Sequence, residues 1–121
     1  MAVVPDFLIK RIYQKGSLKR TENGASVVLK NVLGPGYISG FNYVKINDIT
    51  FEAKDVKFIT NGQELSGLDV SEENPIAFRL GQAGTLVMSG QNCVLDGNNQ
   101  IVIEAMNPEA GKVILSVTDT V

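Results

Sequence analysis

The chain has 121 residues, 44% of them hydrophobic, and a formal net charge of −2, which describes one ordinary globular domain (1–121) and excludes a disordered chain. It contains no histidine and a single cysteine, so the commonest catalytic base, a Ser-His-Asp or Cys-His pair and an internal disulfide are all excluded. No apolar stretch approaches the roughly 20 residues that cross a bilayer as a helix, and no membrane partner is expected.

In chain order, Phe7 to Tyr13 (FLIKRIY) mixes apolar and basic residues without a clean period. A strand and a short helix both fit over 7–14, and a strand is preferred. Lys15-Gly16-Ser17 is a turn, after which Ser17 to Glu22 and Ala25 to Leu33 flank Asn23-Gly24 as a β-hairpin. Gly34-Pro35-Gly36 breaks the second arm. Tyr37 to Ile46 follows as a strand, with Phe41, Tyr43 and Lys45 alternating against Asn42, Val44 and Ile46, and Gly40 marks a bulge. Asn47-Asp48 and Asn61-Gly62 are the next hairpin turns, because Asn, Asp and Gly tolerate the positive φ that such turns demand. Asp69 with Glu72 has the spacing of a capping box and predicts one helical turn, ended by Pro75. Ile76 to Leu80, Thr85 to Ser89, Gln100 to Met106 and Lys112 to Thr118 read as further strands.

About eight to ten short strands at this spacing predict an all-β fold, an antiparallel β-sandwich of immunoglobulin-like or jelly-roll-like type. The apolar sides of the alternating runs predict a core of Val28, Ile46, Phe58, Phe78, Leu86, Ile101, Ile103, Val113, Leu115 and Val117. Cys93 is expected in that core as a small hydrophobe, in keeping with a reducing compartment. Met1 to Asp6 lacks the regions of a leader peptide and no Asn-x-Ser/Thr sequon is present, so a mature cytoplasmic start is expected.

No P-loop, Rossmann glycine pattern, nucleophile elbow or Cys-x-x-Cys pair occurs, and no catalytic residue, cofactor or metal is expected. Asp69, Glu72 and Glu73 could offer oxygen ligands to Ca²⁺, but they lack the alternation of an EF-hand loop, and a helix N-terminus already accounts for them. Charge is uneven: residues 1–30 hold six basic and two acidic side chains, the remainder five and eleven. The basic run Lys10 to Arg20 is compatible with a phosphate backbone, but the pI of about 5.0 and the absence of a nucleic-acid motif favour a protein partner. The most distinctive segment is Gly34 to Tyr43. Phe41 and Tyr43 read as core or cross-strand aromatics, whereas Tyr37, flanked by glycine, suits a surface contact. Tyr37, Arg11, Lys19 and Arg20 are the candidate interface residues.

Ile38-Ser39-Gly40 with Val44 to Asp48, then Asp55 to Gly62, then Thr85 to Met88 and Leu95 to Ile103, resemble the strand-and-turn order of the small β subunit of C-glycoside deglycosidases, over roughly residues 38–104. That resemblance implies a β-sandwich that packs on a larger subunit carrying the metal and most of the chemistry, in sugar metabolism. No catalytic residue of that family maps onto a position of this chain. The expectation is a non-catalytic accessory subunit that assembles with itself or with a larger enzyme subunit, burying at least about 1,200 Å². The alternative is a stand-alone carbohydrate- or small-ligand-binding module. A carboxylate-only enzyme ranks third.

Overall fold

A computed structural model describes residues 5–121. The expected mature start at Met1 to Asp6 falls mostly outside them. Asp6–Ile9 form one α-helical turn (α1), with Leu8 and Ile9 N–H groups donating to the Pro5 carbonyl, and Lys10–Ile12 continue as a 3-10 turn. The strand preferred for Phe7 to Tyr13 is therefore corrected to helix. Ile9 and Tyr13 are buried and Ile12 is half-buried, whereas Phe7, Lys10 and Arg11 are exposed. That three-to-four-residue spacing of inward side chains is helical.

From Lys19 onward the chain is almost entirely β. The strands are β1 (Lys19–Thr21), β2 (Gly24–Lys30), β3 (Gly36–Ile38), β4 (Gly40–Ile46), β5 (Ile49–Glu52) and β6 (Val56–Thr60). They continue as β7 (Gln63–Ser66), β8 (Ile76–Phe78), β9 (Ala83–Ser89), β10 (Asn98–Asn107) and β11 (Gly111–Thr120). A five-stranded sheet runs in the order β1-β2-β9-β6-β7, a four-stranded sheet in the order β11-β10-β4-β5, and β3 pairs with β8. Every pairing is antiparallel. The two larger sheets enclose one core, as the all-β sandwich expectation requires. Phe41 of β4 meets Phe58 of β6 across the layers with ring centroids 5.4 Å apart, and Phe58 meets Phe78 of β8 at 5.7 Å. Gly84 makes room for this cluster: a Cβ there would lie 2.2 Å from the Phe58 ring.

The turns follow the dipeptides with one shift. Asn61 and Gly62 both take positive φ (50° and 76°) between Thr60 and its partner Gln63. Asn47 takes φ 55° between Ile46 and Ile49. In the first hairpin Thr21 pairs with Gly24, so the loop is Glu22-Asn23 rather than Asn23-Gly24. Gly24 belongs to β2, where a Cβ would fall 1.9 Å from the Met88 carbonyl oxygen of the neighbouring strand. Close backbone approach, not the turn, requires glycine there.

Seven of the expected core residues are buried: Ile46, Phe58, Phe78, Leu86, Ile101, Ile103 and Leu115. Val113 and Val117 are half-buried and pack against the core, which also holds Cys93. Val28 is a correction. Ala25, Val27 and Leu29 face inward and Val28 is only half-buried, because the unbroken run Val27-Val28-Leu29 carries no phase of its own. A second correction lies on β4. Glu104 pairs with Tyr43 but Ala105 with Phe41, leaving Asn42 as the extra residue of a bulge. The bulge sits at Asn42, not at Gly40, and it lets Phe41 share the inward face with Val44 and Ile46. A third concerns the capped turn. Ser66 caps a 3-10 turn over Gly67–Asp69, and Asp69 closes the box by accepting from the Ser66 N–H. The box is Ser66 with Asp69, one turn before the expected Asp69 with Glu72.

Candidate functional site

The two ends of the sandwich differ in chemistry. At one end lie the β1–β2 and β4–β5 turns, the start of β10 and the end of β11. Asp119, on the inward face of β11 but carrying a carboxylate, is 3% exposed. It accepts hydrogen bonds from the Tyr13 hydroxyl and from the N–H groups of Gly16, Leu18 and Thr120. Burial alone would raise its pKa, but the hydrogen bonds from Tyr13 and the three N–H groups outweigh it and hold the carboxyl below its ordinary value. Burial, and then the hydrogen bond to Asp119, push the Tyr13 phenol well above its ordinary value. Through Asp119 of β11 this latch ties the four-stranded sheet to the N-terminal segment, which in turn holds β2, whose Leu29 pairs with Tyr13 and whose Val28 carbonyl accepts from the Gln14 N–H. Asn99, 1% exposed, completes the end: it bonds Leu95 and Gly97 and receives the Asn47 amide, which also reaches the Cys93 carbonyl. Burial raises the Cys93 thiol pKa.

The opposite end is open. A cavity of about 320 Å³ enters between the sheets, walled by Ile9 and Ile12 on one side and by Leu33 to Ile38 on the other. Its floor reaches Phe41, Phe78, Ile103 and Leu115, which are core residues. Two asparagines build its rim. Asn31 donates to the Gly34 and Phe78 carbonyls and accepts from the Leu33 and Gly34 N–H groups. Asn107 donates to the Tyr37 carbonyl and accepts from the Glu109 and Ala110 N–H groups. Both side chains are spent on holding loops. Glu109 is the only carboxylate among the described residues lining the cavity. The walls offer no array of free polar groups to a sugar, and no general acid–base pair.

Of the candidate interface residues, Tyr37 is 53% exposed at the mouth of this cavity. Arg11 is exposed on the 3-10 turn between Ile9 and Ile12, so it flanks the same end. Lys19 and Arg20 lie on the short edge strand β1, at the opposite end, and Arg20 forms an ion pair with Asp96. The structure thus brings Tyr37 and Arg11 to one end and leaves Lys19 and Arg20 at the other. Glu72 and Glu73 are exposed, Asp69 caps its turn, and no cluster of three His, Cys, Asp or Glu suited to a metal occurs among the described residues. No helix of the described residues is long and apolar enough to cross a membrane. Sequence reasoning missed Asp119, although the alternation Val113, Leu115, Val117 continues to it and marks it as an inward acid. It also missed the cavity, which no single segment encodes.

No curated protein matches the chain in sequence. The family profile described as hydroxymethylglutaryl-CoA reductase, N-terminal domain, matches residues 8–121. This overturns the resemblance to the C-glycoside deglycosidase small subunit, and with it the expected place in carbohydrate metabolism; it lends no support to a carbohydrate partner. The segments behind that resemblance are hairpin grammar: Asn47 and Asn61 sit at positive φ, and Leu95 to Asn99 form an asparagine-braced loop, features that many antiparallel sandwiches need. With its match running from the first helical turn to the last residue, the chain belongs to the hydroxymethylglutaryl-CoA reductase N-terminal domain family.

Proposed function

We propose that this chain is a non-catalytic β-sandwich module that assembles with a larger catalytic polypeptide, in an enzyme of the hydroxymethylglutaryl-CoA reductase type. The observation that carries the reading is the family match over residues 8–121, because that family is described as one domain of an enzyme. Three features support it. The chain has no histidine, and the apolar opening at the end of the sandwich holds a single carboxylate among the described residues. Tyr37 stands exposed at that opening, with the bulk and low conformational entropy of an interface anchor.

Assembly through the open end buries mainly apolar surface, so raising salt past about 0.15 M should change the association little. Tyr37→Ala should weaken it, whereas Lys19→Ala and Arg20→Ala at the far end should not. Sedimentation of the isolated chain and of native extract, with assay of hydroxymethylglutaryl-CoA reduction across the fractions, tests the reading. The chain is expected to travel with a larger polypeptide that carries the activity and to show none by itself. A monomer in both preparations, or turnover by the chain alone, contradicts it.

A further inference from the structure

We propose that the open-end cavity is a binding site for a small, uncharged, apolar molecule. Its depth is the first argument. Phe41 and Ile103 come from the four-stranded sheet, Leu29 from the five-stranded one and Phe78 from β8, so the opening penetrates the core rather than lying on a face. Its size is the second. About 320 Å³ is roughly twice the 150 Å³ of an apolar cavity that holds benzene, so one inserted valine or leucine of a partner would leave most of it empty.

The apolar lining is the third argument. Asn31 and Asn107 already use their amide groups on the rim loops. The one buried side-chain polar atom without a partner among the described residues is Thr21 Oγ1, on β1 at the other end. Water at the floor would find few protein partners and would depend on other waters, and an apolar guest would release it and add dispersion contacts that the walls lack. Charge selects the class of guest. Among the described residues no cation lines the cavity and Glu109 stands at its rim, so an anionic headgroup would meet repulsion without a counter-charge from them. This inference concerns the isolated chain and stands whether or not the chain assembles with a larger polypeptide.

The test uses the isolated chain with N-phenyl-1-naphthylamine as an uncharged fluorescent probe. Binding is expected to saturate at one probe per chain, and naphthalene should move the methyl resonances of Ile9, Leu29, Ile103 and Leu115 while leaving those of Val56 and Met88 in place. Ala105→Phe, from the half-buried cavity wall, should weaken binding by about tenfold or more. Leu33→Trp, from the loop wall, gives a second filled variant should the first fail to fold. Competition by 1-octanol should need about a tenth of the concentration that octanoate needs. Unsaturable binding, equal binding by a folded filled variant, or methyl shifts scattered over the molecule would overturn the site. Octanoate competing as well as 1-octanol would overturn the assignment of an uncharged ligand.

Discussion

The two ends of this sandwich spend their polar groups differently. At the closed end, Asp119 and Asn99 lie buried and gather hydrogen bonds from three separate segments, 13–18, Asn47 and Leu95, so their loss would leave donors unpaired in the interior. At the open end, Asn31 and Asn107 brace two loops around a space that no described residue fills. One end is built for stability. The other leaves apolar surface accessible among the described residues at a cost in packing, and it is there that the proposed assembly is placed. Substitutions at the closed end should therefore change stability, and those at the mouth of the open end should change binding with little effect on stability.

The largest expected effect tests the core that both ends share. Phe58→Ala removes the ring that bridges Phe41 and Phe78 and should cost roughly 3–5 kcal/mol in denaturant unfolding. Next is the closed end itself. Asp119→Ala leaves the Tyr13 hydroxyl and the N–H groups of Gly16 and Leu18 without their acceptor, and should cost roughly 3 kcal/mol. The same carboxylate has a pH signature. Its folded pKa lies below the ordinary 3.8, so its contribution is present above that value and lost as pH falls through the lower folded one. Asp119→Asn should flatten the acid limb of the stability–pH profile, and an unchanged limb would remove Asp119 from the latch. Tyr13 works in the opposite direction: with its pKa raised, its contribution is present below the ordinary 10.0 and declines as pH rises beyond it. The smallest effect lies at the open end. Tyr37→Ala should move stability by no more than about 0.5 kcal/mol, measured by the same unfolding experiment, because the side chain is half exposed and only its backbone carbonyl is held.

What could be read from the sequence follows from which residues carry a local constraint. Asn61-Gly62 was legible because few residues tolerate positive φ at two successive positions, and that turn formed as expected. Ile101 and Ile103 were legible from clean alternation. Val27 and Leu29 were not, since three consecutive apolar residues leave the phase to tertiary packing. The bulge at Asn42 was misplaced for a related reason: its position depends on the partner strand β10, where Glu104 and Ala105 face Tyr43 and Phe41. The helical turn at Asp6–Ile9 is too short for a period to show, and it exists because Ile9, Ile12 and Tyr13 pack along β11. At the candidate site, Tyr37 was legible as an exposed aromatic between glycines. The cavity beside it was not, because it arises where five separated segments fail to meet.

Hydrogen exchange of the chain, alone and in the assembly recovered from its native extract, tests the division between the two ends most directly. Assembly is expected to slow exchange in 33–40 and 105–113, around Tyr37 and the Asn107 loop, and to leave 14–24 and 93–100 unchanged. Protection centred instead on Lys19, Arg20 and the Asp96 loop, or no protection at the open end, would contradict it.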